Sequence, residues 1–174
     1  MPSRLKPMST ASSAGDRLSP DDPELIGGAR MAIMLESKNQ DGFFIRHQNF
    51  EGELNEFEKA HGQDFHFEIE HRGSFQGSEL VALKSVNFPK RFFRHKNFRL
   101  LLEEPPADGP GRETFMRDSQ FFKEEGLGDT DGFSFRSDNF PDHYIRHLDL
   151  HLFIGKKDTP NIKGDATFLL VPPR

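Results

Sequence analysis

Short apolar runs recur along the chain, each bounded by turn residues: Met31–Glu36, Phe43–Gln48, Phe65–Ile69, Leu80–Lys84, Phe92–His95, Leu100–Leu102, Phe133–Arg136, Tyr144–His147, Leu150–Ile154 and Thr167–Val171. Their length and the Gly, Pro, Asn and Asp around them predict strands, and no stretch holds a helical period for long. Short helical turns are expected only at Glu56–His61 and Asp118–Glu125. The segment 104–111, rich in Pro and Gly, cannot continue a strand and should bulge from the surface. Segments 72–78 and 124–132 read as linkers. Residues 1–30 hold Pro2, Pro7, Pro20 and Pro23 and few large apolar side chains, so roughly the first 25 read as a flexible tail, with Leu25 and Ile26 beginning to pack.

The same pattern repeats three times. Ser37, Asn39, Phe44, Arg46 and His47 match Ser85, Asn87, Phe92, Arg94 and His95, and again Ser137, Asn139, Tyr144, Arg146 and His147, at identical spacing. A second small motif follows each Arg-His pair: Asp64-Phe-His-Phe67, Asp118-Ser-Gln-Phe121 and Asp165-Ala-Thr-Phe168. The middle spacing is longer because it contains the Pro-rich insertion. A stack of three β units would leave two open ends, and a propeller needs at least four blades. Three β units therefore predict an all-β, threefold barrel, the β-trefoil, over residues 31–173, with lobes at about 31–79, 80–131 and 132–173.

Composition refines this picture. The chain has 174 residues, which suits one domain, and 34% apolar against 29% charged residues suits a soluble, loop-rich fold. Phe supplies 19 residues while Trp is absent and Tyr144 is the single Tyr, so Phe should build much of the core. In particular Phe44, Phe92, Tyr144, Phe67, Phe121 and Phe168 are expected to pack in the fold. A net charge of −5 disfavours nucleic acid and anionic membrane as partners. The absence of Cys excludes disulfides and thiol chemistry and is compatible with a reducing compartment. No run is long enough to span a membrane, and residues 1–30 lack the apolar core of a secretory signal, which leaves the compartment open.

One His and one Asp recur in each lobe. A carboxylate accepts from vicinal hydroxyls and an imidazole donates or accepts at a third, which is a common way to hold a polyol in water. A purely structural His–Asp bond reads equally well from the residues alone. Proximity of the carboxylate should favour the protonated imidazole, and binding should weaken in acid. Ser37, Ser85 and Ser137 with the three Asn read as turn hydrogen-bonders, and the three Arg as ties between lobes. No nucleophile elbow, phosphate loop or metal-ligand spacing is present, and recurrent acids come one per lobe, so catalysis, metal and cofactor are not expected.

The pattern S-x-N-F-P-x-x-Y-I-R-H at 137–147, followed by D-A-T-F at 165–168, resembles the arabinofuranose-binding domain of fungal and bacterial α-L-arabinofuranosidases, carbohydrate-binding module family 42. The resemblance covers residues 31–173 and implies a β-trefoil with one shallow pocket per lobe, non-catalytic, for arabinofuranosyl ends of arabinoxylan or arabinan. It implies ligand contacts from His47 with Asp64, His95 with Asp118 and His147 with Asp165. Supporting positions are Asn39, Arg46, Asn87, Arg94, Asn139, Tyr144 and Arg146. Lobe three keeps both motifs whole, lobe two departs in the second, and lobe one departs in both. Phe65 and His66 should alter or close the first pocket, so the expected order of binding is lobe three, two, one. A monomer is expected. Two other readings stay open: a trefoil scaffold for a protein partner, and residual arabinofuranosidase activity.

Overall fold

Alternation of apolar and polar residues writes most of the structure. A computed structural model describes residues 31–174; the expected tail lies outside the described residues. Twelve strands follow in order: β1 (Ala32–Ser37), β2 (Phe43–Gln48), β3 (Glu51–Glu56), β4 (Phe67–Phe75), β5 (Ser78–Ser85), β6 (Phe92–Lys96), β7 (Arg99–Glu103), β8 (Phe121–Glu125), β9 (Phe133–Ser137), β10 (His143–Leu148), β11 (His151–Lys156) and β12 (Phe168–Val171). A 3-10 helix (Lys59–Phe65) precedes β4, helix α1 (Pro110–Asp118) precedes β8, and one turn of helix, α2 (Ile162–Asp165), precedes β12.

The unit is four strands, used three times. The first and fourth strands of each unit join into a closed antiparallel ring in which β1 pairs β12, β12 pairs β9, β9 pairs β8, β8 pairs β5, β5 pairs β4 and β4 pairs β1. Closure removes free sheet edges. The second and third strands form hairpins, which close one end of the ring by pairing β3 with β7, β7 with β11 and β11 with β3. This is a β-trefoil. Inward residues of the ring and hairpins merge into one core that includes Ile33, Leu35, Phe67, Leu83, Phe121, Phe135, Phe168 and Leu170. Each such side chain contributes about 1.5–3 kcal/mol by leaving water.

The hairpin turns bind the three units together. Asn49-Phe50, Asn97-Phe98 and Asp149-Leu150 all have positive φ, 55° and 62°, 52° and 67°, 53° and 67° respectively. Two-residue turns need this geometry, although Phe and Leu adopt it at a cost of about 1–3 kcal/mol. The compensation is mutual. The carbonyls of Phe50, Phe98 and Leu150 accept from Leu102, Ile154 and Leu54 N–H at 2.8, 2.9 and 2.9 Å. Near this junction an added Cβ on Gly52 would meet Leu152 and Leu100 at 3.0–3.1 Å, so there is no room for a third bulky side chain.

Several sequence expectations change. Asp118–Glu125 is not a helical turn: it ends α1 and then forms β8, whose Phe121 fills the core. The segment expected to bulge is exposed from Pro106 to Gly111 and also leads into α1, which was not expected, with Gly109 at φ 86° before Pro110, which is preset for a first helical position. Segment 72–78 is not a linker, because β4 runs on to Phe75 and pairs with β5 past a bulge between His71 and Gly73. The helical turn expected at Glu56–His61 is displaced to the 3-10 helix at Lys59–Phe65. The expected list of strands omits β3, whose polar outward residues hide the inward pair Gly52 and Leu54.

Candidate functional site

Three copies of one polar network lie where the lobes meet. In the first, His47 ends the buried part of β2, and Asp64 sits near the end of the 3-10 helix. Their closest approach, Nε2 to Oδ1, is 3.7 Å, too long for a direct hydrogen bond. Asn87 bridges them: its Oδ1 lies 2.9 Å from His47 Nε2, and its Nδ2 donates to Asp64 Oδ1 at 2.8 Å. Asn87 belongs to the next lobe. Ser85 donates to the Asn87 oxygen at 2.9 Å and accepts from Phe88 N–H at 3.0 Å. Since the amide oxygen only accepts, the imidazole proton sits on Nε2. On the other side, Arg46 donates to Asp64 Oδ2 at 2.9 Å and to the carbonyl of His47 at 3.2 Å.

The second network repeats this with His95, Asp118, Arg94 and, from the third lobe, Asn139. His95 lies 2.8 Å from Asn139 Oδ1, Asn139 donates to Asp118 at 2.7 Å, and Arg94 donates to Asp118 at 2.6 Å. The third closes the circle. His147 lies 2.7 Å from Asn39 Oδ1, Asn39 donates to Asp165 at 2.7 Å, and Arg146 pairs with Asp165. Thus Asn39 serves the His147/Asp165 site, and Asn139, inside the best-matching stretch of sequence, serves His95/Asp118. The repeated segment contributes to two neighbouring sites. Sequence spacing alone does not reveal this, because it puts Asn and His in one copy.

Tyr144 stands apart from the network. It packs with Ile162 and Ala166 and donates to Glu124 at 3.0 Å. Burial and the Glu124 contact push its hydroxyl pKa up to about 12. Phe65 does not close the first site: it is fully buried, with the Arg46 guanidinium 4.9 Å from its ring centre. Asp64 is the most open of the three carboxylates, its side chain 21% exposed against 11% for Asp118 and 12% for Asp165. A cleft of about 520 Å³ holds Asp64 and Asn87. Phe65 is therefore no obstacle at the first site, whereas His66 does line its cleft.

Aromatic neighbours were missed from the sequence. Phe88 meets the His47 ring edge-on at 5.5 Å and Phe140 meets the His95 ring at 5.1 Å. Phe50 and Phe98 stand beside them, at 5.2 Å from Phe88 and 5.7 Å from Phe140. The signal was the Phe that follows Asn in two copies; Gln40 takes that place in the other.

The imidazoles differ from expectation in charge. Burial lowers the pKa of His47, His95 and His147 below the ordinary 6.5 and outweighs the raising effects of the neighbouring carboxylate and, for His47 and His95, of the bridging Asn. Each carboxylate already faces an Arg, which itself disfavours a second cation. Near and below pH 6.5 the folded protein thus binds fewer protons than the unfolded chain. The stability gained is complete above 6.5 and lost as pH falls through the lowered folded values. The unfolding midpoint should therefore drop between pH 7 and pH 5; urea melts showing greater stability at pH 5 would contradict this.

Residues 26–108 and 60–171 each match the Alpha-L-arabinofuranosidase B (ABFB) domain family. Alpha-L-arabinofuranosidase B of Emericella nidulans is 32% identical over 87 residues, which is 50% of this chain and 16% of that protein. Among solved structures, an arabinofuranosidase complexed with arabinofuranosyl-α-1,2-xylobiose aligns with TM-score 0.69 at 18% identity, over 83% of this chain and 31% of that one. The BEL beta-trefoil aligns with TM-score 0.62 at 14% identity over 88% and 99% of the two chains. The chain spans less than a third of the arabinofuranosidase it superposes on. With its threefold repeat and trefoil fold, the chain belongs to the Alpha-L-arabinofuranosidase B domain family.

Proposed function

We propose that this domain is a non-catalytic carbohydrate-binding module that holds arabinofuranosyl side chains of arabinoxylan, arabinan or their oligosaccharides at its three His–Asn–Asp sites. The observation that carries the reading is the threefold recurrence of one largely buried network in which each Asp side chain keeps 11–21% of its surface exposed. In each site an Arg fixes one carboxylate oxygen and an Asn meets the other. The carboxylate is thereby oriented before a sugar arrives, and its remaining lone pairs accept hydroxyls. Preorganisation lowers the ordering cost of binding. A carboxylate held by Arg is a poor general base, which supports binding over turnover. Linked weak sites also gain avidity on a branched polymer.

Titration with arabino-oligosaccharides, followed by heat and by side-chain amide signals, tests this. Wild type should bind, and Asp165→Ala should lose the response of Asn39 while keeping those of Asn87 and Asn139. Absence of any response in wild type removes the proposal, and an unchanged Asn39 response in the variant removes the third site from it.

A further inference from the structure

The first site differs from the other two in charge. Its cleft is lined by Asp64 and Asn87 together with Lys59, His61, His66 and Arg174. Two cationic residues, Lys59 and Arg174, and two imidazoles, of which burial lowers the pKa of His66, therefore line the cleft around one carboxylate, in a chain whose net charge is −5. That carboxylate is already neutralised by Arg46, which also engages Glu58 at 3.6 Å. Counting from the site Asp, the other lobes do not repeat the basic set. The positions of Lys59, His61 and His66 are taken by Glu113, Phe115 and Gln120, and by Pro160, Ile162 and Thr167. Phe115 and Ile162 are buried in the fold, whereas His61 is exposed at the cleft.

His66 adds a second observation. Its Nε2 is buried with no hydrogen-bond partner among the described residues. A buried polar atom without a partner is costly, and the imidazole that carries it belongs to a residue lining the cleft. Arg174 also lines the cleft, and its guanidinium lies over the Phe44 ring, 5.0 Å from the ring centre. Basic groups around a hydroxyl-binding centre suit a sugar that also bears an anion, because charge-assisted bonds to a carboxylate are the strong ones.

We infer that the first site takes an acidic saccharide, one in which a uronic acid carboxylate lies against Lys59, His66 and Arg174 while hydroxyls meet Asp64 and Asn87. The inference rests on the sugar-binding reading and narrows it for one site only. The other two sites take neutral sugars.

The side-chain amides of Asn87, Asn139 and Asn39 report the three sites separately. The ligands are an arabinoxylo-oligosaccharide carrying one glucuronic acid and the same compound with that carboxyl reduced to the alcohol. Followed at Asn87 in low salt, the acidic form should bind about tenfold more tightly, equivalent to about 1.4 kcal/mol. At Asn139 and Asn39 the two forms should bind alike. The triple variant K59Q/H66Q/R174Q should remove the preference at Asn87 while leaving the reduced form bound. Equal binding of the two forms at Asn87, a preference that survives the triple variant, or a response at Asn139 and Asn39 with none at Asn87 overturns the inference alone. No response at any amide to either form overturns the sugar-binding reading as well.

Discussion

Replacing Arg146 with Ala should lower the unfolding free energy by about 3–5 kcal/mol, since it leaves a buried carboxylate without its partner. The Arg146 side chain is 8% exposed and the Asp165 side chain 12%. Besides this ion pair, Arg146 donates to the carbonyl of His147 at 3.0 Å. Room for it comes from Gly155 on the paired strand, where an added Cβ would lie 2.8 Å from Arg146 Cδ. Arg146→Lys keeps the charge but not the fork, and should recover only part of the loss. Urea unfolding measures both; a loss below about 1 kcal/mol for Arg146→Ala would show that the pair is a bystander.

Substituting Asn39 with Ala should weaken arabino-oligosaccharide binding at the His147/Asp165 site by tenfold or more, although Asn39 lies in the first lobe. The amide holds the His147 proton on Nε2 and one oxygen of Asp165, and both are released together. A stability loss of about 1–3 kcal/mol should accompany it, as the buried partners lose a bond. The control is Asn139→Ala, which should spare the third site and weaken the second. If the effects follow lobe membership instead, with Asn139→Ala striking the third site, the bridging role assigned to these amides is wrong.

Much of the fold was legible because the chain states it three times. Repetition of Ser, Asn, Arg and His at one spacing identified the trefoil without any pairing information. The Phe residues of the second motif, Phe67, Phe121 and Phe168, lie fully in the core as their periodicity suggests. Misreadings arose where local chemistry ran against packing. Strand β3 is masked by Glu51, Glu53, Asn55 and Glu56, which face outward. Helix α1 hides behind Pro and Gly, which here start a helix rather than end a strand.

For the site, residue types were legible and partnerships were not. His47, His95 and His147 were found with the right acids, but an amide stands between each pair, and it comes from the following lobe. No spacing rule encodes which neighbour a side chain leans toward; the handedness of the ring decides that. The expected protonated imidazole failed for a related reason. The sequence shows an Asp near each His, but only the fold shows that burial and an Arg act against the proton.

Sharing each site between neighbours has a consequence for how such a protein could have been assembled. A single lobe, expressed as a peptide, owns a His, an Asp and an Arg facing one way and an Asn facing the other, so it holds two halves and no whole. Three identical copies arranged around the axis would complete three sites at once. Removing the last lobe from the present chain would break two networks rather than one, because Asn139 and the His147/Asp165 pair depart together. In this architecture the His–Asn–Asp network is a property of the ring, and gene fusion of lobes preserves it only when the ring closes.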